Sequence, residues 1–388
     1  MYNPLRNLLI ISLFSLSMIH CTSDTLNQTP TTRYFVTTLG KDTLALEKYT
    51  QNDSGVYAEV ILRSPKTTLL IQQFNTDKSG NFLSYSSNSY IIKETVKKQN
   101  SSESVKVLND SIQWKSTTDE TERSGIFLYD SLILPFIDMV HWPFDIMTQR
   151  QNSDSSSVPV FSGARVFSYI VQKMGDDSLT LKHPTRGTMG VTINEDKSIR
   201  VIDASLTTRK LLVTSVEPID MDLYFIKYSD LDMKNKSFGS LSGRAEETFS
   251  VVGTTLSFDY GTPAQRGREI WGKLVPYNKL WRTGANKATH VTFSDNIQMD
   301  TLTIPAGQYT LFTIPSESGG ILIINKQTGQ NGQQYNESLN LGTVQMMTRN
   351  LDHSVELFTI RADEENGGGV IRLQWGDREM VIPFKLIK

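Results

Sequence analysis

The feature that most constrains this chain is a period of two. Val56, Ala58, Val60 and Leu62 alternate with Tyr57 and Glu59. Leu44 and Leu46 alternate within Asp42–Tyr49, as do Ile371, Leu373 and Trp375 near the end. Alternation over four to eight residues predicts half-buried antiparallel strands. Turn signals punctuate it densely, at Asn52-Asp53-Ser54-Gly55, Asp77-Lys78-Ser79-Gly80, Gly175-Asp176-Asp177 and Asn194-Glu195-Asp196-Lys197. Three strand openings look alike: Gly40-Lys-Asp-Thr-Leu-Ala-Leu, Gly175-Asp-Asp-Ser-Leu-Thr-Leu and Gly253-Thr-Thr-Leu-Ser-Phe. The expected fold is all-β with minor α: a curved antiparallel sheet in the N-terminal part and an antiparallel sandwich or barrel in the C-terminal part.

One segment breaks the period. In Ser131–Arg150, Leu132, Phe136, Met139, Val140, Ile146 and Met147 fit a helical face. Pro135 and Pro143 interrupt it, so one broken helix or two short ones are expected against the concave side of the N-terminal sheet. The plain reading is a buried core helix; the alternative is a wall of an apolar ligand cavity.

The first 20 residues read as an export signal. Arg6 gives a positive start, and Leu8–Ile19 is an apolar run too short to span a bilayer as a helix. Cys21, the chain's sole cysteine, follows directly. That placement predicts a lipid-attachment site and a protein anchored by lipid in the periplasm or outer membrane, over the plainer reading of an ordinary signal peptide in which Cys21 is incidental. Residues 21–32, rich in Thr, form a tether. No later stretch reaches 18 apolar residues. A break in the apolar pattern near Ser237–Glu247 divides the rest into an N-terminal β-rich domain, 33–236, and a C-terminal domain, 248–388.

Composition closes several functional classes. The chain has 388 residues, with 39 Lys+Arg against 41 Asp+Glu, which argues against nucleic acid as a partner. One cysteine excludes an intrachain disulfide and a cysteine-built zinc site. Phosphate-loop, zinc-protease, nucleophile-elbow and dinucleotide fingerprints are all missing from the sequence. Beyond the leader, His141, His183, His290 and His353 are scattered, so neither a metal site nor a cofactor is expected.

The densest chemistry lies between residues 266 and 290. Arg266, Arg268 and Arg282 are joined by Asn286 and His290, with Trp271 and Trp281 between, in a stretch broken by Gly and Pro. Arginine forks suit a carboxylate, phosphate or sulfate, and tryptophan faces suit a sugar ring or another flat apolar surface. The opposing reading has the arginines bridging loop carbonyls or pairing with Glu269 or Asp259, and the tryptophans filling a core.

The C-terminal part also carries a run of motifs: Arg266-Gly-Arg-Glu-Ile-Trp-Gly, Trp281-Arg-Thr-Gly-Ala-Asn and Pro305-Ala-Gly-Gln-Tyr-Thr-Leu-Phe-Thr-Ile-Pro. This run resembles the bacterial family called domain of unknown function 2911, common in exported proteins of the Bacteroidetes type, over about 135 residues. The N-terminal part is similar to the extension that often precedes that domain. The resemblance implies a fold and a compartment and no activity. Three functional classes follow: a non-catalytic module binding a small polar or anionic ligand or glycan, a structural or adaptor lipoprotein, and, third, a hydrolase.

Overall fold

The computed structural model describes residues 29–387, so Cys21 and the expected export signal lie outside the described residues. The chain forms a 15-stranded and a 9-stranded sheet and two α-helices, and neither sheet closes into a barrel. The alternation translates directly. Gly55–Leu62 is a strand whose Val56, Ala58 and Val60 are buried while Tyr57 is exposed. The three similar openings all start strands, at Asp42, Ser178 and Thr254.

The first sheet is laid out from its middle. Thr31–Leu39 pairs on one side with Asp42–Asn52 and on the other with Leu212–Val216. One wing then runs outward in chain order to Glu122–Leu128; the other runs inward from Leu134–Pro135 back to Leu212–Val216. All pairings are antiparallel except that of Leu134–Pro135 with Ser155–Ser162. The sheet curls until its wings touch. Phe82 and Phe161, from opposite wings, have ring centroids 5.7 Å apart, and Phe127 meets Phe161 at 5.8 Å.

Helix α1, Trp142–Gln149, plugs the curl and is buried along almost its whole length. It is shorter than the Ser131–Arg150 segment expected. Pro135 ends a strand there, and Leu132 is exposed. Pro143 costs nothing, because it sits in the first turn, where its missing N–H would have no intrahelical partner. His141 makes no side-chain cap. Instead Glu47, fully buried on a neighbouring strand, accepts the backbone N–H groups of His141 at 2.8 Å and Trp142 at 3.1 Å. A carboxylate at a helix N-terminus meets both the orphan donors and the positive end of the dipole. The His141 ring lies 2.8 Å from the same carboxylate, and Trp142 Nε1 donates to Gln72 at 2.7 Å.

Helix α2, Met221–Met233, covers the outer face of the first sheet. Its Met221, Phe225 and Tyr228 pack on Leu46, Ile61 and Leu69. Asp220 caps it by accepting the Leu223 N–H at 3.0 Å. This helix makes the strand Asp42–Asn52 buried on both faces over Leu44–Glu47. The second sheet begins at Ser242 and shares no strand with the first. Its core gathers Trp271, Trp375 and Phe358 beneath the loops of the sequence-dense stretch, with the half-buried Trp281 packed against them.

Candidate functional site

The loops carrying the arginines face the first sheet. At the turn Gly40-Lys41, the Lys41 N–H donates to the Arg266 carbonyl at 3.0 Å. Gly40 has φ +62°, and a Cβ there would stand 2.2 Å from that carbonyl oxygen. Only glycine fits both the left-handed backbone and the close approach. The Arg266 guanidinium donates to Asp42 at 3.1 Å and to the carbonyls of Phe238 at 3.0 Å and Ser240 at 3.3 Å. It also lies 3.8 Å over the Phe238 ring. Arg266 is buried and occupied by these contacts. The expectation that it lines a ligand pocket is therefore corrected: it staples the two halves of the chain together.

Beside this staple a groove of about 770 Å³ opens between the two sheets. From the first sheet come the turn at Thr185–Gly187 and the loop Leu206–Lys210; from the second come Arg268, Leu280–Asn286 and Gly332–Tyr335. Its floor includes the buried side chains of Leu39, Val275 and Trp375. Among the described residues five cations line it and no carboxylate does. Arg186 and Arg209 both pair with Asp138, the former at 2.7 Å.

The other three, Lys210, Arg268 and Arg282, make no ion pair among the described residues. Arg268 donates to the carbonyls of Gln265 at 2.9 Å and Ala264 at 2.5 Å. Among the described residues the Arg282 side chain reaches the Gly284 carbonyl alone, at 3.4 Å, and Lys210 that of Ser205 alone, at 3.3 Å. Burial holds all three below their ordinary pKa, and the charges of Arg268 and Arg282 depress Lys210 further. Lys210, from one half, is thus repelled by Arg268 and Arg282 from the other, while Glu356 and Asp42 offset part of the cost at Arg268. An anion placed there gains from each of the three cations.

The remaining predicted residues divide. Asn286, at φ +62°, is exposed on the groove wall, and its carbonyl accepts the Gly332 N–H at 2.9 Å. Trp281 lines the groove and stacks on Trp375 at 6.0 Å with 14° between planes. Trp271 is core: it is buried, edge-on to Trp281, and its Nε1 donates to the Trp375 carbonyl at 2.9 Å. His290 is also absent from the groove. It is buried on its strand, and its Nε2 accepts the Gly329 N–H at 2.9 Å. That role needs a neutral ring, and burial lowers the pKa accordingly. Lys210, Arg186 and Arg209 were not singled out by sequence; the only signal was the adjacent Arg209-Lys210 pair in a turn.

Residues 242–384 match the family described as "Protein of unknown function (DUF2911)", as the motif run predicted. No curated protein matches the chain. A solved β-barrel-like protein of domain of unknown function DUF1849 from Brucella abortus is similar at TM-score 0.31 and 10% identity, over 49% of this chain and 97% of that one. The binding domain of botulinum neurotoxin serotype C1 is similar at TM-score 0.11 and 9% identity, over 92% of this chain and 90% of that one. Likenesses this distant carry no argument about function.

Proposed function

We propose that this protein, whose C-terminal part matches a family of unknown function, is a non-catalytic binding protein that receives a small anionic ligand in the groove between its two sheets. The observation that carries the reading is the set Lys210, Arg268 and Arg282, three cations that make no ion pair among the described residues, in a groove those residues line with no acidic side chain. Arginine forks favour carboxylate, phosphate or sulfate oxygens. Attachment through Cys21 in the cell envelope belongs to the same reading, because the cysteine stands directly after the apolar run.

The test is thermal unfolding of the full mature chain with sulfate, phosphate, simple carboxylates and acidic sugars. A ligand that binds only the native state raises the melting temperature with concentration. Arg268→Gln and Arg282→Gln should abolish that response. No response from the parent to any anion would remove the reading. It would favour instead an adaptor whose arginines are all structural, as Arg266 is.

A further inference from the structure

The groove is half apolar. We propose that the anion it takes is amphiphilic: a carboxylate or phosphate head on Lys210, Arg268 and Arg282, carrying an acyl or alkyl chain that lies along Leu206, Leu280 and Trp281. This rests on the anion-binding reading above and narrows it to a ligand class.

Two observations lead there. Leu206 is 83% exposed and Leu280 43% exposed, and both line the groove, one from each half of the chain. A single exposed leucine needs no explanation. Two leucines lining one cationic groove, above a floor of Leu39, Val275 and Trp375, place apolar surface beside the charges. An inorganic ion would leave that surface wet, whereas a ligand with a chain would dry it.

The second observation concerns the head. Every charged side chain lining the groove among the described residues is a donor, since Arg and Lys accept no hydrogen bond. A ligand that matches them has acceptor oxygens at its charged end, while its chain lies against the leucines. The volume, about 770 Å³, lies within the range of pockets that enclose such molecules.

The experiment measures calorimetric affinity of the full mature chain for inorganic phosphate, butyl phosphate, octyl phosphate and octanoate below micelle formation, with octyl glucoside as the uncharged control. A fully buried methylene is worth about fourfold in affinity. The expected gain from butyl to octyl phosphate is therefore tenfold or more. Leu206→Ser combined with Leu280→Ser flattens that series, and octyl glucoside binds far more weakly than octyl phosphate.

Equal affinity for all three phosphates overturns the amphiphile proposal and leaves the anion site standing. Octyl glucoside binding as tightly as octyl phosphate, or no binding of octyl phosphate, octanoate or any inorganic anion, overturns both. Co-sedimentation of the unanchored Cys21→Ser chain with phosphatidylglycerol vesicles that octyl phosphate cannot compete assigns the contact to a bilayer surface and overturns the assignment of a free amphiphile.

Discussion

The Arg266 guanidinium reaches across from the second half of the chain and donates to Asp42 in the first at 3.1 Å. Around this pair the two halves share a backbone hydrogen bond, two carbonyl acceptors and a cation–π contact. Arg266→Gln should destabilise the protein by about 2 kcal/mol, the scale of a charge-assisted hydrogen bond to a partly exposed partner. Gly40→Ala should cost more than about 1 kcal/mol from its backbone alone, with the clash on the Arg266 carbonyl added. Both are expected to make denaturant unfolding less cooperative between the halves. Two unchanged, superimposable transitions by fluorescence and circular dichroism would show that the staple holds nothing.

Glu47 should matter more than any surface charge. Glu47→Ala leaves the backbone N–H groups of His141 and Trp142 without an acceptor in the interior and the His141 ring with Thr37 alone, at 3.2 Å. A loss of about 3 kcal/mol is expected. Near-ultraviolet circular dichroism of Trp142 should report the loosened helix, and Glu47→Gln, which keeps one acceptor oxygen, should fall between. Equal stability of Glu47→Ala and the parent would contradict the capping role.

Burial raises the pKa of Asp145, opposed by hydrogen bonds from Tyr49, Ile199 and Gln149. A carboxyl raised in the native state holds its proton more tightly there than in the unfolded chain. Its contribution is complete below the unfolded pKa of about 3.9 and declines as pH rises through the native value. Relative to Asp145→Asn, the parent should therefore lose stability as pH rises across that window. Urea titrations at a series of pH values measure this, and a parent that gains on Asp145→Asn over the same range would reverse the sign.

Lys210, Arg268 and Arg282 should be a liability in the empty protein. Raising sodium chloride from 10 mM toward 150 mM shortens the screening length from roughly 30 Å to roughly 8 Å. The parent's melting temperature should rise with salt. Lys210→Gln should start higher at low salt and respond less. If Arg268→Gln and Arg282→Gln both prove strongly destabilising, these residues are loop staples.

Cys21 has a separate test. Cys21→Ser is expected to release the mature protein from membranes into the soluble fraction. Mass spectrometry of the native protein should show an acylated N-terminus. An unmodified mass would sink the lipid-anchor proposal.

What could be read from sequence follows from where each signal lies. Alternation and turn residues are local, so strands such as Gly55–Leu62 were legible. Helix α1 was only half legible. It lies inside the curled sheet and has no solvent face, so its boundaries leave no amphipathic trace. Helix α2 was missed, although Asp220 after Pro218 marks its start and Leu223, Ile226 and Met233 blur its apolar face by standing exposed. The cluster at 266–290 was found as a cluster but not as a site. Arg266 and Arg268 are two residues apart, yet the first is locked on Asp42 and the second faces the groove. Lys210 joins Arg282 only through the packing of the two sheets, which no local pattern encodes.

The central place of Thr31–Leu39 bears on how the chain must be made. Tyr34 pairs with Lys48 within moments of synthesis, but its other partner, Val216, emerges only after both wings have been built. Until then the strand presents an open edge, a template for pairing with another chain. Such distant pairing is slow to form. A polypeptide halted anywhere before Leu212 is thus not a smaller version of the domain but a sheet that lacks its closing strand, with one edge of Thr31–Leu39 unpaired. Truncations in this region are expected to aggregate, and the whole first half should fold as a unit or not at all.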